Sequence, residues 1–315
     1  MRGKTFLYVL LFLAAPCIAA YFLAGPIASS QIENQIKKTL NADSVSIGRT
    51  DFSLSRLSLK DIKIKKISRY DLKIENMNIY YTPRSLAVGN HLDKIRGLSL
   101  EMSSLSVSGL EARDIILKIA RTRDGGFLRV GSVKYNKITL ARIRSAAFLE
   151  NGTLYLNDLV LDFLGGKVKG DASLDLDKGA GYDFKLKALD LDIKTLVNDF
   201  KLTEKFEMTG NLGGDASLAG EGIAVTSLDG NFFTGEKGGI LRIKDRGFLE
   251  NIAKRSNQSM DIIVESFKNY HYNKGNIRLF SDRGDVILDV LLDGGAGKRD
   301  LTVILHDFIL KKGGL

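Results

Sequence analysis

Residues 153–176 read TLYLNDLVLDFLGGKVKGDASLDL, and they decide the fold. Leu154 and Leu156 alternate with polar or half-polar neighbours, and Leu159, Leu161 and Phe163 continue the alternation one step out of phase. After Gly165-Gly166 it resumes at Val168, Gly170, Ala172, Leu174 and Leu176. A period of two marks a strand with one apolar and one polar face. A Gly-Gly step between two such runs marks a turn, so the stretch predicts an antiparallel hairpin.

Working outward, the same period returns in both directions. Toward the C-terminus, Tyr182, Phe184 and Leu186 precede Leu189 and Leu191. Later runs carry Ile277 and Leu279; Val286, Leu288, Val290 and Leu292; and Leu301, Val303 and Leu305. Toward the N-terminus, Leu57 and Leu59 give way to Ile62 and Ile64, and Leu72 and Ile74 to Met77 and Ile79. Leu98, Leu100 and Met102 follow, then Ile115, Leu117 and Ile119, then Ile138 and Leu140. The changes of parity at Arg56 and Asp61 predict turns or bulges. Gly170-Asp171-Ala172-Ser173-Leu174 recurs as Gly214-Asp215-Ala216-Ser217-Leu218, which favours a repeat-like sheet. Helices are few: 27–41 with Ile32, Ile36 and Leu40 on one face, 193–200 with Leu196 and Phe200, and 246–257, continuing through 267.

The chain of 315 residues has 32 Gly, only 3 Pro and a single Cys. Scarce Pro suits a chain of hydrogen-bonded strands, because Pro removes a ladder donor. Cys17 can form no intramolecular disulfide, and one Cys with 3 His leaves little for a metal site. Charge is uneven: residues 1–150 carry 24 Lys/Arg against 12 Asp/Glu, residues 151–315 carry 22 against 25. The basic half suits either an anionic lipid surface or ordinary solvated strand faces. No stacking motif accompanies it, which argues against nucleic acid.

Residues 6–25, FLYVLLFLAAPCIAAYFLAG, run without a charge. Their length matches the ~20 residues that span a hydrocarbon core. Arg2 and Lys4 precede the run, so the positive-inside rule keeps 1–5 in the cytoplasm and exports the rest. A cleaved signal peptide is the competing reading, but its apolar region is usually shorter.

No nucleophile elbow, zinc-protease motif, P-loop or dinucleotide fingerprint occurs. His271, with Asp261 and Glu265 near in sequence, has no nucleophile to serve. His91 and His306-Asp307 read as surface residues, and Asp190 with Asp192 as a solvated strand face more readily than a calcium site. The expectation is a non-enzyme without cofactor or metal. What the chain has in excess is apolar strand face. A closed barrel or sandwich would bury it, and so would a curled groove holding acyl chains. Exposing a sixteen-carbon chain to water costs on the order of 13 kcal/mol, at ~0.8 per methylene.

The opening, an anchor followed by IENQIKKTLNADSVSIGRTDFSLSRLSLKDIKI, resembles the N-terminus of AsmA-like proteins. Residues 165–214 resemble their recurrent Gly-Gly strand, short helix and returning strand, and Gly238–Ile243, Phe267–Tyr270 and Gly284–Asp293 are similar to the C-terminal part of the YdbH family. The resemblance implies a bacterial inner-membrane protein, single-pass, whose periplasmic domain over 42–315 is mainly β: an elongated antiparallel taco-like β-groove with a few short helices. It implies assistance to phospholipid transport from inner towards outer membrane. The groove-lining candidates are then the alternating residues: Leu72 and Ile74; Leu98 and Leu100; Leu154, Leu156, Leu159, Leu161 and Phe163; Phe184 and Leu186; Val286, Leu288, Val290 and Leu292; and Leu301, Val303 and Leu305. YdbH-like proteins are longer. Roughly 18 strands at ~4.8 Å give a groove of about 85 Å, short enough to call for an outer-membrane lipoprotein or self-association to extend it. The alternative is a scaffold for outer-membrane biogenesis with a closed sheet and no lipid.

Overall fold

The computed structural model describes residues 29–53, 55–66, 70–81, 95–107, 109–120, 125–135, 138–175, 181–221, 224–282 and 284–305. The apolar run 6–25 lies outside them, as do His91, His306 and Asp307. Among the described residues no helix is long and apolar enough to cross a membrane.

Those residues form 18 strands and four helices. The strands are β1 (Ser44–Ser53), β2 (Arg56–Lys66), β3 (Tyr70–Tyr81), β4 (Ile95–Val107), β5 (Leu110–Ala120), β6 (Phe127–Tyr135), β7 (Ile138–Glu150), β8 (Thr153–Phe163) and β9 (Gly166–Asp175). They continue as β10 (Gly181–Asp192), β11 (Phe206–Met208), β12 (Asn211–Glu221), β13 (Ala224–Thr234), β14 (Gly239–Ile243), β15 (Tyr270–Tyr272), β16 (Lys274–Asp282), β17 (Asp285–Gly294) and β18 (Gly297–Leu305). The helices are α1 (Ser29–Leu40), α2 (Ile193–Asp199), α3 (Arg246–Ser256) and α4 (Met260–Lys268). Fifteen strands share one sheet in the order β1 to β10, β12, β13, β16, β17, β18; β11, β14 and β15 make a second sheet. The chain is therefore mainly β, built on one large antiparallel sheet with few helices, as the alternation predicts.

The helical pattern read on through 267 breaks in two. Asn257 takes a left-handed conformation (φ 52) and its N–H donates to the Ala253 carbonyl oxygen, ending α3. Asn tolerates that conformation better than most residues, which makes it a helix stop. At the other end, Asp245 Oδ1 accepts the N–H of Phe248 at 3.0 Å and caps α3.

The described residues fall into two compact units. The first lies within Met1–Leu161, Asp171–Asp183 and Gly220–Ile223. Its strands β1 to β8 follow one another as a meander. Along β1 to β7 the ladders share an interruption at one level, and β3–β4 carries a further register shift at Tyr80/Tyr81. Register runs from Ile47↔Ile62 to Arg49↔Lys60, omitting Gly48 and Asp61. It runs from Ile62↔Ile74 to Lys60↔Asn76, omitting Asp61 and Glu75. The omission recurs at Ser103 and Asp114, at Asp114 and Gly131, and at Gly131 and Arg142. Asp61, Asp114, Arg142 and Asp158 all have positive φ, between 50° and 54°. A left-handed residue resets the pleat, so residues three apart, such as Leu59 and Ile62, share the buried face. The parity change at Asp61 is thus a true irregularity, whereas that near Arg56 is the β1–β2 hairpin turn.

Helix α1 guards the β1 edge of this unit. Ile32, Ile36 and Leu40 are buried, and Glu33 Oε1 accepts the N–H of Ile47 at 2.7 Å. The Tyr70 hydroxyl donates to the Leu40 carbonyl oxygen at 2.8 Å. An edge amide that would otherwise invite a foreign strand is occupied by a side chain of the same molecule.

The second unit comprises Asp162–Gly170, Phe184–Ala219 and Ala224–Leu315, within the described residues. Here the segment between β13 and β16 leaves the large sheet and returns to it, supplying β14, α3, α4 and β15. Periodicity gives no sign of the small sheet, because a three-residue strand shows barely one period. Gly294↔Gly297 closes the β17–β18 hairpin, with Gly295-Ala296 as its two-residue turn.

Candidate functional site: an apolar cavity in the second unit

The cavity is assembled from elements of the second unit alone. The large sheet supplies alternating residues of β13, β16, β17 and β18, among them Phe232, Ile277, Leu288 and Val303. Opposing residues come from α2 and the chain after it (Leu196, Phe200, Leu202), the small sheet (Met208, Leu241) and α3 (Phe248). The enclosed space is about 270 Å³, and every residue lining it is apolar. β17 and β18 face it in register, with Leu288 opposite Val303 and Val290 opposite Leu301.

Hydrogen bonds at the margin hold the small sheet down. The Tyr270 hydroxyl donates toward the carbonyl oxygens of Gly297 (2.5 Å) and Leu292 (3.3 Å). The Tyr272 hydroxyl donates to the Thr209 carbonyl oxygen. Burial pushes the Tyr272 phenol well above its ordinary range, which favours the protonated, donating form. Burial also raises Tyr270, although the Arg299 guanidinium, 4.8 Å from its ring centroid, opposes that shift. Arg299 lies 5.5 Å from the Phe267 ring centroid as well. Its buried Nε has no hydrogen-bond partner, so the aromatic faces are what it meets. Small residues are needed here: a Cβ on Gly238 would stand 1.9 Å from the Tyr272 carbonyl oxygen.

The residues predicted to line a groove separate into groups. Phe163, Val286, Leu288, Val290, Leu301 and Val303 line the cavity. Leu292 is fully buried but does not line it, and the side chain of Leu305 lies outside the described residues. Phe184 and Leu186 are half-buried on β10, and neither lines the cavity. Leu72, Ile74, Leu98, Leu100, Leu154, Leu156, Leu159 and Leu161 are buried in the first unit. The opposing wall from α2, the small sheet and α3 was not among the predicted lining. Its signal was present as the Leu196–Phe200 helix spacing, which reads equally well as packing.

Among the candidate polar residues, Asp192 takes a structural role. Asp192 caps α2, its carboxylate accepting the N–H groups of Lys194 and Thr195 and the Thr195 hydroxyl at 2.6 Å. Asp190 is left-handed (φ 55). His271 is exposed, opposite Ile240 on the small sheet. Among the described residues no group of three or more His, Cys, Asp or Glu is placed to hold a metal ion. The repeated Gly170 and Gly214 occupy equivalent tight contacts: a Cβ would stand 2.0 Å from the Lys185 carbonyl oxygen in one and 2.2 Å from that of Asn231 in the other.

Comparison with known families bears on this region directly. Residues 122–236 match the model of the AsmA family. The match supports an AsmA-like superfamily relationship for that part of the chain, and the family is associated with lipid transport and assembly at the cell envelope. It covers β6 to β13, including α2 and five strands that contribute lining residues to the cavity: β8, β10, β11, β12 and β13. No curated protein and no solved structure matches the chain.

Proposed function

We propose that this chain is a non-catalytic lipid-handling protein that holds phospholipid acyl chains against the apolar face of its sheet. The observation that carries the reading is the cavity of about 270 Å³ lined only by apolar residues. Such a space rewards a hydrocarbon chain at ~0.8 kcal/mol per buried methylene and penalises any headgroup, because no polar partner is offered. The match to the AsmA family over 122–236 supports the same reading. Within it, the protein is an inner-membrane protein anchored by residues 6–25, with its β domain in the periplasm, closest to the YdbH type. It assists movement of lipid towards the outer membrane, together with a lipoprotein or a second copy that extends the apolar surface.

Native mass spectrometry after mild purification, followed by lipid extraction, tests this. The expected result is a stoichiometric lipid adduct that is lost in Leu288→Asp. A preparation that never carries lipid, with Leu288→Asp indistinguishable from wild type in envelope function, would instead favour a scaffold for outer-membrane biogenesis.

A further inference from the structure

The second unit has another concavity, one that charged side chains border. It is an open depression of about 500 Å³, bordered by charged and polar residues together with Gly170, Leu186, Ala216 and Gly230. Three lysines bound it: Lys169 on β9, and Lys185 and Lys187 on β10. Two carboxylates bound it too: Asp215 on β12 and Asp229 on β13. Ser217 and Asn231 add neutral hydrogen-bonding groups on those same two strands.

The order of strands sorts the charges. In the large sheet the four run β9, β10, β12, β13. The cations that bound the pocket therefore stand on one pair of strands and the anions that bound it on the neighbouring pair. Adjacent strands are ~4.8 Å apart, so Lys185 and Lys187 on β10 stand on the strand next to Asp215, while Lys169 and Asp229 mark the outer strands, about 14 Å apart. Among the described residues none of these five charges forms an ion pair with another side chain. Asp171 and Asp183 are also exposed on β9 and β10, but neither bounds the pocket. Among the charges that do bound it, the two signs lie on opposite sides and are unpaired with each other.

The geometry points to a binding site for a small zwitterion that carries a phosphate and an ammonium group on a short tether, the phosphate against Lys169, Lys185 and Lys187 and the ammonium against Asp215 and Asp229. Each end of such a ligand meets charges of opposite sign, and Ser217 and Asn231 can complete its hydrogen bonds. The recurring Gly-Asp-Ala-Ser-Leu acquires a use. In the first copy the Asp171 carboxylate accepts the N–H of Asp158 at 3.0 Å, a structural bond, whereas in the second copy Asp215 faces the pocket. This site is independent of the acyl-chain cavity and stands or falls without it.

Isothermal titration calorimetry on the full chain in detergent, at low salt, tests the assignment with O-phosphoethanolamine, inorganic phosphate and ethanolamine as separate probes. The expected result is that phosphoethanolamine binds more tightly than either half. Lys185→Gln should weaken it by about two- to five-fold, as for an exposed charge pair. Asp215→Asn with Asp229→Asn should abolish the advantage of phosphoethanolamine over phosphate while leaving phosphate binding unchanged. Raising salt should weaken all of it. A further arm with dihexanoylphosphatidylethanolamine distinguishes sources: preference for it assigns the site to a lipid headgroup, and preference for the free monoester assigns it to a soluble metabolite. No heat with either compound, or equal affinities for phosphate and phosphoethanolamine in wild type, overturns the proposal. All five side chains are exposed, so these variants keep the fold, and an unchanged thermal transition verifies it.

Discussion

The hydroxyl of Tyr270 reaches from the small sheet to the carbonyl oxygen of Gly297, at the start of the last strand of the large one. A residue in a three-stranded accessory sheet thereby fastens it to the strand pair whose apolar side chains line the cavity. Tyr270→Phe keeps the ring packed and removes only the bond, leaving a carbonyl oxygen short of a donor. Such a change costs ~1–3 kcal/mol. Urea denaturation should show that loss, and proteolysis should cut first within 235–270 if the small sheet is released before the large one.

The two faces of β17 predict opposite responses to substitution. Leu292 is 0% exposed and Leu291, its neighbour, is 45% exposed. Leu292→Ala should cost ~2–5 kcal/mol. Leu291→Ser should stay within about 0.5 kcal/mol. Equal effects in thermal unfolding would mean that the inward face is wrongly assigned.

Gly238 has φ 59 and no room for a Cβ beside Tyr272. Gly238→Ala imposes both a left-handed alanine and a backbone displacement, so the loss should exceed the ~1 kcal/mol usual for a single substitution. Gly295, with nothing within 4 Å of an added Cβ, is the control, and Gly295→Ala should leave the melting temperature nearly unchanged.

Glu207 offers a test of charge. Its carboxyl lies below the ordinary range, chiefly because Lys244 donates a hydrogen bond to it, with Arg242 adding attraction. A depressed folded pKa contributes stability above the unfolded value, which is lost as pH falls through the folded one. Lys244→Ala should move the Glu207 titration back toward the ordinary carboxylate range in a carbon-detected NMR titration. Because the pair is on the surface, added salt should produce part of the same shift.

Much of this architecture is legible in the alternation of residues, and the reason is physical. A half-buried strand must repeat every second residue, so Leu154 to Phe163 and Val286 to Leu292 declare themselves. Even the out-of-phase steps, Leu59 to Ile62 and Leu156 to Leu159, are written in the spacing. What the pattern does not reveal is which strands lie opposite a second layer. The wall built by Leu202, Met208 and Leu241 depends on β11, β14 and β15 meeting across 66 residues of chain. That juxtaposition is set by long-range packing and has no local signature. The pocket between the lysines and the carboxylates is illegible for the same reason, since it depends on which strand neighbours which.

The interruption shared by β1 to β7, from Gly48 and Asp61 through Glu75, Ser103 and Asp114 to Gly131 and Arg142, works like the fold line in a sheet of paper. Each half-strand on either side is in register with its neighbours only while every strand turns at the same level. A single residue inserted in one strand would move its fold off the line and spoil two interfaces, whereas a whole hairpin carrying its own fold could be added or removed without disturbing the rest. The natural unit of lengthening or shortening in this architecture is therefore the hairpin, and the length of the sheet can evolve in steps while its cross-section stays constant.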